Sequence, residues 1–277
     1  MVAGADIYLM AFSSLTVVDT ESNDSCAPQG CFLYAESYSK QNISITDSFI
    51  HNTRAETSIT TVIELSSGNL QVKNTNFTNS TASLFKLDGT SARLENVQVN
   101  ILNCQIVPFC IMQANAVELA FKDSKISGVI STRDLMVLNS QTASISFDNI
   151  EVSNVLGVKE VGQNFMQLFG LRASYITGLE LDNLLFQNFT NTSGIILQNS
   201  SFELNNSRFT NQEERMLQEV NADFSGQQMF GANFVLSAEN YTNNAQFLVL
   251  TSSNGTITST DFNKNSHNTS YSGGVPL

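Results

Sequence analysis

Few side chains in this 277-residue chain are of the types that carry out acid–base or nucleophilic chemistry. Its only two histidines, His51 and His267, stand far apart in the sequence. The charged run Glu213-Glu214-Arg215 is typical of a solvent-exposed turn. No glycine-rich phosphate loop and no paired nucleophile and base stand out. The residue types therefore predict no catalytic residue and no bound cofactor.

Three aspartates form the one pattern with a metal-binding interpretation. Asp19 and Asp47 fall at equivalent places in successive repeats, with Asp24 nearby, and calcium prefers clustered carboxylate oxygens. Aspartate also favours tight turns, because its side chain bonds to the neighbouring backbone. We favour the turn interpretation and predict no metal ligand; calcium is the alternative.

A short sequence motif, the repeated phrase, recurs ten times along the chain, and the fold that it specifies must position any functional side chains. It reads apolar-x-(Asn/Asp/Gly/Ser)-x-x-apolar-x-(Asn/Gly), and residues 72–79 and 204–211 are clear copies. Most copies begin 20–28 residues apart, a period typical of solenoid proteins. The first apolar residues of the copies, called anchors from here on, are Val17, Ile45, Val72, Leu94, Phe121, Phe147, Leu181, Leu204, Phe224 and Ile257.

Fixed positions after each anchor keep the same residue types. At +2 stand residues that tolerate left-handed backbone geometry, namely Asp19, Asp47, Asn74, Asn96, Asp123, Asn149, Asn183, Asn206, Gly226 and Ser259. At +5, where Ser22 is the exception, stand the apolar residues Ile50, Phe77, Val99, Ile126, Val152, Phe186, Phe209, Met229 and Phe262. At +7 Asn or Gly returns as Asn52, Asn79, Gly128, Asn154, Asn188, Asn211 and Gly231. The pattern predicts short strands separated by tight bends, with asparagine ladders along the bends.

Two kinds of solenoid have a period of this length. A leucine-rich repeat needs a leucine-dominated consensus and a helical return, whereas the apolar positions here mix Ile, Val, Phe and Leu. Interrupted short strands fit a parallel β-helix better, because its coils bond to their neighbours along each face. The sequence predicts an all-β, single-stranded parallel β-helix (solenoid) of about ten coils, forming one domain over residues 1–277.

The repeated phrase resembles the coils of the right-handed, pectin-lyase-like β-helix superfamily. The last copy, Phe262-Asn263-Lys264-Asn265-Ser266 followed by Ser272-Gly273-Gly274-Val275, resembles the F-x-x-N … G-G-x-x repeat of polymorphic outer-membrane adhesins. Large ciliate surface proteins have similar repeats. The resemblance implies a right-handed coil. The Asn-Thr-Asp, Asp-Asp and Gly-His-Gly motifs that a likeness to polygalacturonases would require are absent from the sequence.

Composition limits the partners of the chain. A formal net charge of −12 repels the phosphate backbone, so we predict no nucleic-acid partner. No apolar stretch is long enough to span a membrane, and residues 1–16 lack the basic start and apolar run of a signal peptide. Neither end shows a cap for its edge strands, so we expect end-to-end self-association or continuation into flanking coils.

Four cysteines form two close pairs, each within the variable stretch of one repeat. Local disulfides Cys26–Cys31 and Cys104–Cys110 are the favoured interpretation, and free thiols are the alternative. A shared zinc site is disfavoured, because the pairs belong to the first and fourth repeats. Disulfides indicate an oxidising compartment, so the chain is expected to be extracellular or on the cell surface.

Sequons for N-linked glycans agree with that location. Asn79 and Asn188 also carry the motif but occupy bends, where a glycan fits poorly. Glycans are predicted at Asn23, Asn42, Asn76, Asn199, Asn205, Asn240, Asn254 and Asn268.

The sequence favours a structural protein over an enzyme. Its expected function is that of an adhesin stalk or a fibre subunit, in which stacked coils give a stiff rod and the variable stretches carry loops and glycans. The first alternative is a carbohydrate-active enzyme, a polysaccharide lyase or hydrolase with a groove along the variable loops. The second is a glycan-binding module, which the lack of tryptophan disfavours.

Overall fold

The computed structural model of the chain contains only β-structure and turns in the part that it describes. That part comprises residues 6–9, 14–27, 31–35, 41–139, 144–158, 168–190, 192–214, 236–237, 248–251, 254–259, 261–263 and 266–267. Several predicted positions lie outside it, namely Phe224, Gly226, Met229, Gly231, Asn240 and Asn268.

Most strands are short, and two are long. In chain order they are β1 (Ile7–Leu9), β2 (Ser14–Val18), β3 (Glu21–Asn23), β4 (Cys26–Ala27), β5 (Leu33–Ala35), β6 (Gln41–Thr46), β7 (Phe49–His51), β8 (Arg54–Ala55), β9 (Thr61–Leu65), β10 (Gly68–Lys73), β11 (Asn76–Ser80), β12 (Ser83–Asp88), β13 (Thr90–Glu95), β14 (Gln98–Cys104), β15 (Met112–Asn115), β16 (Glu118–Ser131), β17 (Met136–Asn139), β18 (Ser144–Gly157), β19 (Phe169–Ser174), β20 (Gly178–Asp182), β21 (Leu185–Thr190), β22 (Ser193–Gln198), β23 (Ser201–Asn205), β24 (Arg208–Glu214), β25 (Leu236–Ser237), β26 (Leu248–Thr251), β27 (Asn254–Thr258), β28 (Asp261–Asn263) and β29 (Ser266–His267).

Parallel pairing arranges most of these strands in three runs. The anchor run is β2, β6, β10, β13, β16, β18, β20, β23, β27 and β25. The middle run is β3, β7, β11, β14, β16, β18, β21, β24 and β28. The return run is β1, β5, β9, β12, β15, β17, β19, β22 and β26. The long strands β16 and β18 belong to both the anchor run and the middle run.

The predicted anchors lie opposite one another in the anchor run, with one correction. Register partners in order are Val17, Ile45, Val72, Leu94, Phe121, Phe147, Leu181, Leu204 and Ile257. Leu204 therefore pairs directly with Ile257 with no strand between them, whereas the sequence predicts a copy at Phe224 there. Phe224 itself lies outside the described residues.

Alternating burial explains why these segments form strands. Ile43 and Ile45 of β6 point into the core, while Asn42 before them is exposed and Ser44 between them is half-buried, as a strand with one buried face requires. Apolar side chains stack from one repeat to the next, so the rings of Phe121 and Phe147 lie 5.6 Å apart between centroids in an edge-on arrangement. Such stacks bury large side chains and supply the main stabilisation of the fold.

Ser22, the exception in the apolar +5 row, has its own polar partners. Its hydroxyl donates to Asp6 Oδ2 at 2.8 Å and lies 2.7 Å from the hydroxyl of Ser25. Both serines are buried, and a buried hydroxyl needs such bonds. The core of the first repeat is therefore closed by hydroxyl and carboxylate groups rather than by an apolar side chain.

The described residues thus form an all-β chain of parallel sheets, without helix in that part of the chain. This arrangement is compatible with a parallel β-helix. The outward-facing positions of the three runs and the bends between them are the surfaces on which a functional site can be built.

Candidate functional site

Backbone geometry at the bends agrees with the two predicted turn positions. Left-handed φ angles of 48–56° occur at +2 in Asp19, Asp47, Asn74, Asn96, Asp123, Asn149, Asn183, Asn206 and Ser259. Positive φ angles occur at +7 in Asp24, Asn52, Asn79, Ile101, Gly128, Asn154 and Asn188. The three aspartates considered as calcium ligands are therefore turn residues. The described residues hold no group of three or more His, Cys, Asp and Glu side chains placed to bind a metal.

Amide ladders join the bends of successive repeats. At the +2 bend, Asn74 Nδ2 donates to Asp47 Oδ1 at 2.8 Å, and Asn96 Nδ2 donates to Asn74 Oδ1 at 2.9 Å. At the +7 bend, Asn79 Nδ2 donates to Asn52 Oδ1 at 2.5 Å, and Asn52 Nδ2 donates to Asn23 Oδ1 at 2.7 Å. Each bond links residues more than 20 positions apart in the chain, so the ladders fix the register between repeats.

A second ladder, made by hydroxyls at +3, was not predicted from the sequence. Ser124 Oγ donates to Lys122 O at 2.6 Å in its own bend and accepts the Val97 N–H of the preceding repeat at 2.9 Å. Ser207 makes the same two bonds with Asn205 O and Leu184 N–H. Both serines are buried. The signal in the sequence is weak, because the +3 row mixes hydroxyl residues with the apolar residues Val97, Ile150 and Leu184.

Ile101 stands at a +7 bend where the other described repeats have Asp, Asn or Gly. Its φ is 60°, and the residue is 60% exposed. A β-branched side chain in left-handed geometry is an outlier, because its branches crowd the backbone. The strain is of the order of 1–2 kcal/mol.

Replacing Ile101 with asparagine is expected to stabilise the protein. Asparagine tolerates left-handed geometry, and the exposed isoleucine contributes little burial, so the free energy of unfolding should rise by about 1 kcal/mol. Thermal unfolding measures the change as an increase of roughly 2–4 °C in Tm. Ile106→Asn is the matched control, since Ile106 is also exposed but has no positive φ. Equal gains in both variants would contradict the backbone explanation.

His51 lies on the outer face of the middle run in a small polar cluster. Its Nε2 is 3.0 Å from Glu21 Oε1, and its ring centroid is 4.9 Å from that of Phe49. The side chain of the other histidine, His267, is outside the described residues. Arg54 Nη2 pairs with Asp24 Oδ1 at 3.5 Å. These surface contacts hold the side chains in place.

A shallow groove of about 570 Å³ runs across the outer face of the anchor run. It crosses five neighbouring strands and has a small, mostly uncharged polar lining, including Ser14, Asn42, Asn69, Ser91, Arg93 and Glu118. Beside it, Glu95 accepts from Lys73 Nζ at 2.9 Å and from Arg93 Nη2 at 3.2 Å. The hydrogen bond from Lys73, with the charge of Arg93 nearby, holds the pKa of the Glu95 carboxyl below its usual range.

Farther along the same face the charges are negative. Glu180 lies next to Glu203 in register, and Asp148 lies next to Asp182. Lys122 Nζ lies 3.9 Å from Asp148 Oδ2. This end of the face therefore repels polyanions.

Two ion pairs are more deeply buried. Lys86 Nζ is 2.7 Å from Glu64 Oε1, and the Glu64 side chain is only 6% exposed. Arg172 Nε is 2.5 Å from Asp134 Oδ2, while Asp134 Oδ1 accepts the Phe169 N–H at 2.8 Å. Asp134 thus fixes the start of β19.

The structure contains one of the two expected disulfides. Cys104 and Cys110 are bonded and fully buried. Cys26 and Cys31 carry thiols instead, which corrects the expected second bridge. Cys26 is exposed, with its Sγ donating to Glu56 Oε1 at 3.0 Å, whereas Cys31 lies in the core with its Sγ 3.5 Å from Arg54 O. The two thiols therefore occupy different environments.

Cys26 is expected to react slowly with alkylating agents. Partial burial, followed by the hydrogen bond to Glu56 and its negative charge, raises the pKa of the thiol to about 11, and the thiolate is the reactive form. At pH 8 iodoacetamide should modify Cys26 on the order of tenfold more slowly than an unperturbed cysteine, and Glu56→Gln should speed the reaction several-fold.

Mass spectrometry of labelled peptides measures the rate. Glu21→Gln is the control, because Glu21 pairs with His51 rather than with Cys26. No acceleration in Glu56→Gln would contradict the assigned cause. If Cys26 were labelled only after reduction, the protein would contain the Cys26–Cys31 disulfide that the sequence predicts.

Predicted glycan sites fall in several environments. Asn23, Asn42 and Asn199 are exposed, and Asn199 lies in a bend with a φ of 48°. Asn76 and Asn205 are half-buried. Asn254 starts β27, and its side chain is outside the described residues.

Comparison with known proteins identifies no relative of this chain: no protein-family model, no curated protein and no solved structure matches it. Among the described residues, no helix is long and apolar enough to cross a membrane.

Proposed function

We propose that residues 1–277 form a single right-handed parallel β-helix of the pectin-lyase-like kind, and that the chain is a structural glycoprotein of the cell surface or extracellular space. It serves as an adhesin stalk or a fibre subunit that self-associates end to end. Its function is geometric: a stiff rod carries loops and glycans at defined heights. Each strand of the anchor run belongs to one coil, and residues outside the described part add any further coils.

The observation that carries this proposal is the unbroken register of the anchor run. Nine strands pair in parallel from Val17 to Ile257. At the usual strand spacing of about 4.8 Å, they span roughly 40 Å. Ladders at the bends add cross-links between repeats, so bending the rod would break several hydrogen bonds at once.

The surface location rests on different observations. The buried Cys104–Cys110 disulfide favours an oxidising compartment. Three of the predicted glycan sites have exposed asparagines, from which a glycan would extend into solvent.

Electron microscopy of the purified chain tests the assembly, with and without a reducing agent. Filaments with an axial repeat close to the length of one rod would support end-to-end association. Loss of filaments on reduction would show that the disulfide-closed loop 104–110 takes part in the contact. Dispersed single rods at high protein concentration would overturn the fibre proposal.

A second candidate, a carbohydrate-binding or carbohydrate-degrading function, is favoured by the groove on the anchor run. Its width of five strands suits an extended chain of sugars, and Arg93 and Glu118 supply charges within it. The acidic surface near Glu180 and Glu203 makes a neutral glycan a better ligand than a polyanionic one. Glycan-array binding and reducing-sugar release from neutral polysaccharides test this candidate; Arg93→Ala should abolish any binding that occurs in the groove.

A further inference from the structure

Phe49 exposes an aromatic ring on the outer face of the middle run. The residue lies on β7 and is 38% exposed, in a row whose other members are mostly polar. The ring of His51 lies beside it, tilted by 49° at a centroid distance of 4.9 Å. The two rings form a small aromatic platform, and the Phe49 side of it is open to solvent.

The sequon Asn76-Phe77-Thr78 lies directly next to this platform. In the pairing of β7 with β11, Asn76 is the register partner of Phe49, and Thr78 is the register partner of His51. Phe77 between them is buried in the core, so Asn76 and Thr78 point to the outer face. Neighbouring strands lie about 4.8 Å apart, and a sugar attached to Asn76 therefore reaches the Phe49 ring.

Other sequons lack such a neighbour or use their amides differently. Asn42 faces Asn69, whose Nδ2 donates to it at 2.7 Å. Asn79 and Asn188 use their own Nδ2 groups, the atoms that would carry a glycan, to donate within the bend ladder. Among the sequons on described strands, the aromatic platform adjoins Asn76 and, through His51 alone, Asn23.

We propose that Asn76 carries an N-linked glycan and that its first sugar packs against the Phe49 ring. The inference rests on the proposed surface location. The donor is an oligosaccharide linked to a lipid diphosphate. Asn76 Nδ2 forms a bond to the anomeric carbon of the sugar, the bond from that carbon to the diphosphate oxygen breaks with its electron pair leaving on the lipid diphosphate, and one amide proton is released.

Packing of the sugar follows from the chemistry of the two surfaces. The face of an aromatic ring is electron-rich, and one face of a pyranose carries C–H groups of slightly positive character. Contact also removes the exposed apolar surface of Phe49 from water. The glycan therefore stabilises the fold at this site as well as covering the surface.

Peptide mapping of the full chain, secreted from eukaryotic cells behind a secretion signal, tests occupancy. Release of glycans by N-glycosidase in ¹⁸O water marks each occupied asparagine as labelled aspartate. Asn76 is expected to be marked in most molecules. Marking of Asn23 or Asn42 with Asn76 unmarked would overturn this inference and leave the glycoprotein proposal standing. Secreted protein with no sequon marked would overturn both.

Thermal unfolding then tests the contact. Glycans are trimmed to the first sugar, and each protein is compared with its Asn76→Gln counterpart. The sugar should raise Tm by roughly 2 °C in the unmodified sequence and in Phe49→Tyr, which keeps a ring, but should have no effect in Phe49→Thr. A gain that persists in Phe49→Thr would overturn the packing of the sugar on Phe49.

Discussion

Gly68→Ala is expected to lower the free energy of unfolding by about 4 kcal/mol, which sums a backbone strain of about 1–3 kcal/mol and a steric cost of about 1–3 kcal/mol. Gly68 has a φ of 116°, a value that residues with a side chain rarely adopt. A Cβ atom there would stand 2.2 Å from the backbone oxygen of Gln41. Since β6 and β10 pair at this point, the clash between the added Cβ and Gln41 can be relieved only if the two strands separate. Urea unfolding followed by circular dichroism measures the loss.

Gly89→Ala provides the matched control for that experiment. Gly89 also has a positive φ, of 57°, but its nearest atom to an added Cβ would be Ser66 O at 3.7 Å, an ordinary contact. Only the backbone strain remains, so the expected cost is about 1 kcal/mol. If both variants lose the same stability, the close approach of Gln41 has no energetic role.

The second large effect is expected from Lys86→Met. This substitution removes the ammonium that lies 2.7 Å from Glu64, leaving a carboxylate that is almost wholly buried. Thr61 Oγ1, at 3.3 Å from Glu64 Oε2, remains as a weaker partner. Breaking a buried pair costs about 3–5 kcal/mol; because Lys86 is itself 31% exposed, we expect about 2–3 kcal/mol after discounting for solvent screening.

Two further variants separate the buried charge from the loss of the lysine side chain. The double variant Glu64→Gln/Lys86→Met should recover most of the stability, because no uncompensated charge remains. Lys125→Met removes a pair of similar geometry in which both partners are more exposed, and it should cost less than about 1 kcal/mol. A loss in Lys125→Met as large as that in Lys86→Met would refute the role of burial.

The repeat was readable from the sequence because each row has one physical requirement. The +2 bend needs left-handed backbone geometry, and only a few residue types tolerate it. Every described member of that row has a positive φ. The +5 row must fill the core, and Phe77, Val99 and Ile126 are all buried there.

Other features depend on contacts that a sequence pattern does not contain. Ser124 serves as a hydrogen-bond partner only because Val97 lies beside it in the preceding repeat. Ile101 violates the residue preference of its bend, yet the neighbouring repeats hold it in left-handed geometry. Burial, followed by a hydrogen bond to Glu56, 30 residues away, raises the pKa of the Cys26 thiol. Spacing alone placed the cysteines in pairs but could not show that one member faces solvent and the other the core.

The amide ladders also give the stack of repeats a direction. Asn74, Asn149, Asn183 and Asn206 each donate an Nδ2 hydrogen to an aspartate oxygen of the preceding repeat, on Asp47, Asp123, Asp148 and Asp182 respectively. An ionised carboxylate only accepts hydrogen bonds, so these four links have a fixed direction. The two ends of the stack consequently differ: asparagine N–H groups point toward the preceding repeat, and aspartate oxygens point toward the following one. Subunits that continue the ladders across a junction must join head to tail, and a filament built from them has a plus end and a minus end.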